Sequence, residues 1–129
     1  MNMKNVLVVE DNQMFQKLIA KKLLQHELVV FSADSVGGAL EKLADNKIDV
    51  VWLDHYLLGN GDGLDLVTAM KKQDCKYKSI PIFVVSNSAD HDKTSAYLRL
   101  GVEKYYVKSS VSLSGIIDDI KEFLINNEK

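Results

Sequence analysis

Five short apolar runs, each rich in β-branched or aromatic residues, recur along the chain, and a helical pattern follows every one of them. The runs are Val6 to Val9, Leu28 to Phe31, Ile48 to Leu53, Ile82 to Val85 and Tyr105 to Val107. Apolar runs of this length predict strands buried on both faces, as in a parallel sheet. Met14, Phe15, Leu18, Ile19 and Leu23 recur at helical spacing after the first run, and Val36, Ala39, Leu40 and Leu43 after the second. Leu64 to Met70 and Asp90 to Leu100 supply the third and fourth helices; Leu113, Ile116, Ile117, Ile120 and Leu124 give the fifth a clean stripe.

Strict alternation of strand and helix implies a parallel sheet, because right-handed crossovers lay a helix over each strand pair. The chain is too short for the eight units of a closed barrel, so an open, doubly wound α/β sheet is expected. At 129 residues, with a single proline at Pro81 and no linker or repeat, residues 1–129 are expected to form one domain.

Sixteen Lys and Arg against eighteen Asp and Glu leave a formal charge of −2, and no like-charge run is long enough to form an interaction tail. Direct nucleic-acid binding is not expected, nor is membrane insertion, since no apolar run approaches bilayer length. The lone Cys75, in the polar stretch Lys72 to Lys78, has no internal disulfide partner. A reducing, cytoplasmic setting is the expectation.

In sheets of this kind functional groups gather at the carboxyl ends of the strands. Here those ends read Glu10-Asp11, Asp54, Ser86 and Lys108. Singly, each has an ordinary explanation as a helix cap, a turn residue or a solvated charge. Together they converge on one edge, where clustered carboxylates repel by about 4 kcal/mol per pair at 4 Å in an effective dielectric near 20. Such a cluster needs a cation, and oxygen donors of this type suit Mg²⁺, which keeps open positions for phosphate oxygens. A carboxylate beside a divalent ion and a lysine can attack phosphorus, which makes Asp54 the candidate nucleophile.

The segments Val6-Leu-Val-Val-Glu-Asp-Asn12, Val50-Val-Trp-Leu-Asp54 with Gly61-Asp-Gly63, Val84-Val-Ser86 and Gly101-Val-Glu-Lys-Tyr-Tyr-Val-Lys108 resemble the receiver domains of two-component response regulators, over essentially the whole chain. The resemblance implies a flavodoxin-like (βα)5 three-layer sandwich with strand order 2-1-3-4-5. It also implies phosphorylation on Asp54, with Mg²⁺ held by Asp11, Asp54 and the Tyr56 carbonyl, Glu10 acting through water, and Lys108 pairing with the phosphorylated aspartate. Ser86 then resembles the hydroxyl that moves onto the phosphoryl group, and Tyr105 the aromatic that turns inward in response. The implied phosphodonor is a sensor histidine kinase or a histidine phosphotransfer protein. The implied output goes to a protein partner or to an effector appended in a longer parent.

Three positions depart from the family pattern: Ser109 follows Lys108 where proline is usual, Asn87 follows Ser86 where a small residue is usual, and Leu57-Leu58-Gly59 lacks the common proline. Without proline the Lys108-Ser109 bond is expected to be trans, since a cis bond there costs about 2.5 to 4 kcal/mol. An aspartyl-phosphate phosphatase reading fails because Tyr56 stands where a second acid is needed. A receiver-like module that binds partners without phosphorylation, and a flavin or nucleotide carrier on the same topology, remain as alternatives. Of the three histidines, His55 neighbours Asp54 but is expected to face away from it along the strand.

Overall fold

The computed structural model describes residues 3–127. Its strands are β1 (Asn5–Val9), β2 (Val29–Ala33), β3 (Val50–Leu53), β4 (Ile82–Ser86) and β5 (Lys104–Val107). They alternate with α1 (Gln13–Gln25), α2 (Val36–Asp45), α3 (Gly63–Met70), α4 (His91–Leu100) and α5 (Leu113–Asn126), and a short 3₁₀ turn at Lys108–Ser110 precedes α5. All strand pairs are parallel, in the order β2-β1-β3-β4-β5. This is the doubly wound sheet expected from the alternation of patterns, in the flavodoxin-like strand order that the resemblance implies.

The sheet separates two apolar layers. Val6, Val8, Val50, Trp52, Phe83 and Val85 face α1 and α5, where they meet Ile19, Leu23, Ile116, Ile117 and Ile120. Leu7, Val9, Val51, Leu53, Ile82 and Val84 face the other way, onto α2, α3 and α4. Alternation of side chains along each strand distributes one apolar run between the two faces. The central strands β1, β3 and β4 are therefore almost wholly buried, whereas the edge strands β2 and β5 are only partly so. The expectation of two covered faces fails at the edges.

One helical stripe also differs from the sequence reading. Met14 is 84% exposed and Leu18 lies on the surface, while Ile19 and Leu23 are buried and Phe15 packs beside them. The buried face runs through positions 15, 19 and 23 at four-residue spacing, which rotates 14 and 18 outward. Asn12 starts this helix by accepting the Phe15 N–H at 2.9 Å. No helix among the described residues is long and apolar enough to cross a membrane.

Candidate functional site

The register of the sheet brings the polar strand ends together. The Glu10 N–H donates to the Ala33 carbonyl at 3.0 Å, and the Asp54 N–H to the Val9 carbonyl at 2.9 Å, so the ends of β1, β2 and β3 are tied side by side. Gln16 on the first turns of α1 donates to the carbonyls of both Glu10 and Ala33, at 3.0 Å each. Glu10 is 1% exposed and Asp54 3%. Carboxylate oxygens of Glu10, Asp11 and Asp54 all lie within 4.8 Å of one another.

Lys108 reaches this cluster from the far side. Its Nζ lies 3.2 Å from Glu10 Oε1 and 3.5 Å from Asp54 Oδ1, and 4.5 Å above the Phe15 ring. A second Glu10 oxygen accepts the Asn12 N–H at 3.1 Å. One lysine against three carboxylates leaves the cluster short of positive charge. Burial, Glu10 and Asp11 accordingly push the Asp54 carboxyl up to about 7, although Lys108 opposes the shift. Glu10 is also raised, chiefly by burial, with the Asn12 N–H and Lys108 opposing. Three oxygen donors within one small radius, with too little positive charge beside them, fit a hard divalent cation.

The loop after β3 is fixed by backbone bonds. Leu58 N–H donates to the Asp34 carbonyl at 2.8 Å and Gly63 N–H to the His55 carbonyl at 2.8 Å. Gly59 and Gly61 take positive φ angles of 75° and 100°, which turns the chain into α3. Asp62 then caps α3 in a reciprocal box with Asp65. The Lys108-Ser109 bond is trans, like every described peptide bond.

Ser86 is fully buried at the end of β4, and its Oγ accepts the Ser88 N–H at 3.2 Å. The half-buried Tyr105 donates its hydroxyl to the carbonyl of the same Ser88 at 2.7 Å. Ser86 and Tyr105 thus meet through one residue of the β4–α4 loop. Asn87 is exposed, and with Phe15, Val85, Lys108 and Ser109 it lines a cleft of about 330 Å³ beside the cluster.

The polar strand ends and the order of the sheet describe one kind of domain, and comparison with known proteins decides it: residues 6–121 match the response regulator receiver domain family. The chain belongs to that family. This receiver domain is similar to the transcriptional regulatory protein MalR of Bacillus subtilis, at 32% identity over 108 residues, or 82% of this chain and 44% of that protein. It is 30% identical to the chemotaxis protein CheY1 of Helicobacter pylori over 105 residues, or 80% of this chain and 83% of that protein. The receiver thus spans less than half of MalR but most of CheY1. Its fold also matches a two-component response regulator of Clostridium difficile, with a TM-score of 0.88 at 18% identity over 98% of this chain and 100% of that one. A CheY-like receiver domain protein of Methanospirillum hungatei gives 0.87 at 21% identity over 98% of each chain.

Within this receiver the structure brings together Glu10, Asp11, Asp54 and Lys108, sets Ser86 at the adjoining end of β4, and places Tyr105 within β5, opposite Val84. Tyr56 follows on the loop with its side chain exposed. His55 faces away from the Asp54 carboxylate, as strand alternation requires, but it is not idle. Buried on the α4 side, it meets the Tyr97 hydroxyl at 2.7 Å through Nδ1. The sequence reading missed that pairing.

Proposed function

We propose that Asp54 accepts a phosphoryl group from the phosphohistidine of a sensor kinase or histidine phosphotransfer protein, in a Mg²⁺-dependent reaction in the cytoplasm. The observation that carries this reading is the Asp54 carboxylate set among two further carboxylates with Lys108 Nζ at 3.5 Å. Asp11, Asp54 and the Tyr56 carbonyl are the residues that would hold the ion, with Glu10 in support. Bound there, Mg²⁺ supplies positive charge to the phosphoryl oxygens.

One Asp54 carboxylate oxygen attacks phosphorus, the P–N bond to the donor imidazole breaks, and the imidazole leaves with that electron pair. Lys108 stabilises the negative charge on the transferred group and remains paired with the product. The Ser86 hydroxyl turns from the Ser88 N–H to a phosphoryl oxygen, and the shift passes through Ser88 to Tyr105 and to the surface formed by α4, β5 and α5. A downstream protein, or an effector in a longer parent, reads that surface. On this reading the domain catalyses only its own phosphorylation and the slow loss of the group.

Incubation with Mg²⁺ and acetyl phosphate, followed by intact-mass measurement, tests the reading. One added phosphoryl group is expected on the wild type and none on Asp54→Asn, which keeps the shape and removes the nucleophile. Equal labelling of the two would refute it, and a wild type that takes up nothing would favour a partner-binding module that works without phosphorylation.

A further inference from the structure

The two residues that directly follow the acceptor aspartate each grip the same helix, one turn apart. His55 Nδ1 lies 2.7 Å from the Tyr97 hydroxyl inside the protein. Outside, Lys93 Nζ donates to the Tyr56 hydroxyl at 3.2 Å and sits 4.9 Å above the centre of the Tyr56 ring. Positions 93 and 97 are four apart, so both grips fall on one face of α4.

Tyr97 is the one buried side chain of α4. The Tyr97 hydroxyl is wedged against the start of α3, where a Cβ on Gly63 would collide with it. Its ring packs on Tyr105 with centroids 5.7 Å apart. His55 Nε2 faces Asp62 Oδ2 at 3.6 Å, so the tautomer that carries its proton on Nε2 leaves Nδ1 free to accept from Tyr97.

We propose that Tyr97 and Lys93 are positioning residues: through His55 and Tyr56 they fix the stretch of backbone that presents the Tyr56 carbonyl to the acceptor site. By thermodynamic reciprocity, whatever the acceptor site binds moves α4 through the same two grips. This link adds to the one through Ser86, Ser88 and Tyr105, which it meets where the Tyr97 ring packs on Tyr105, and it rests on the phosphoacceptor reading given above.

The test compares wild type, Tyr97→Phe, Lys93→Met and the double variant. Lys76→Met serves as control, because it removes a similar lysine–tyrosine contact, with Tyr77, in the segment between α3 and β4. Mg²⁺ affinity is measured by titration calorimetry, and α4 amide shifts are recorded with and without Mg²⁺ and beryllofluoride. Each single variant is expected to bind Mg²⁺ about 5-fold more weakly, the loss that follows from one hydrogen bond worth about 1 kcal/mol. The double variant is expected to lose most of the α4 shift while still taking up a phosphoryl group from acetyl phosphate. The control is expected to match wild type.

A merely structural role lowers the melting temperature of the variants but leaves Mg²⁺ affinity and the α4 shifts at wild-type values, and that result would overturn the inference. If wild type itself neither binds Mg²⁺ nor takes up the phosphoryl group, the acceptor reading falls and this inference falls with it. If wild type does both and the variants match it, the inference alone falls.

Discussion

Replacing Asp54 with asparagine is expected to stabilise the ion-free protein, by an amount that grows with pH. The carboxyl is 3% exposed and its folded value is raised from 3.8 to about 7, chiefly by burial and Glu10. For an acid raised on folding, the stabilising contribution is complete below the unfolded value and is lost as pH rises through the folded one. At pH 8 nearly the whole shift of about three units is felt, and at about 1.4 kcal/mol per unit the ionised side chain costs about 4 kcal/mol. At pH 5 only the unfolded chain has released its proton, and the cost is about 1.6 kcal/mol. The advantage of the neutral asparagine should therefore widen by about 2.5 kcal/mol between pH 5 and pH 8, or roughly 10 °C in melting temperature for a chain of this size. Lys108 keeps its contact with Glu10 at 3.2 Å in the variant, so no unpaired cation is left to offset the gain. Urea titrations of both proteins in EDTA at the two pH values give the numbers directly. A stability gap that stays flat across this range would refute the claim that burial and the neighbouring carboxylates raise the Asp54 value.

Mg²⁺ is expected to raise the wild-type melting temperature at pH 8, since a ligand at a hundred times its dissociation constant adds about 2.7 kcal/mol; no shift at millimolar Mg²⁺ in a thermal scan would count against an ion site. Ser86→Ala is expected to keep uptake of the phosphoryl group, but to show a weakened amide-shift response around Tyr105 on adding beryllofluoride. An undiminished response would remove the Ser86 hydroxyl from the pathway. Gly63→Ala is expected to cost about 1–3 kcal/mol through overpacking against the Tyr97 hydroxyl. Adding Tyr97→Phe to that variant should recover part of the loss in chemical denaturation, and a purely additive double variant would contradict the clash.

The fold was legible because continuous β-branched runs and helical stripes alternate without interruption, and parallel pairing leaves few topologies open. Edge position was not legible: the Tyr105 to Val107 run looks like those of the central strands, and only the order of the sheet reveals that one side of it is uncovered. Met14 and Leu18 satisfied helical spacing, but the helix phase is set by where Asn12 caps, and that phase turns both outward. The gathering of Glu10, Asp11, Asp54 and Lys108 was readable because each is a charge closing an apolar strand. The pairing of His55 with Tyr97 spans 42 residues and lies in a helix with a weak apolar stripe, so no local pattern announces it.

Trp52 is the protein's single tryptophan, fully buried two residues before Asp54, with no acceptor for its indole N–H among the described residues. An indole sealed in hydrocarbon emits toward the blue and is sheltered from collisional quenchers dissolved in water. Its emission therefore reports on the interior of β3 with no competing fluorophore of its kind. The molecule carries a built-in optical gauge by which unfolding can be followed in real time without a label.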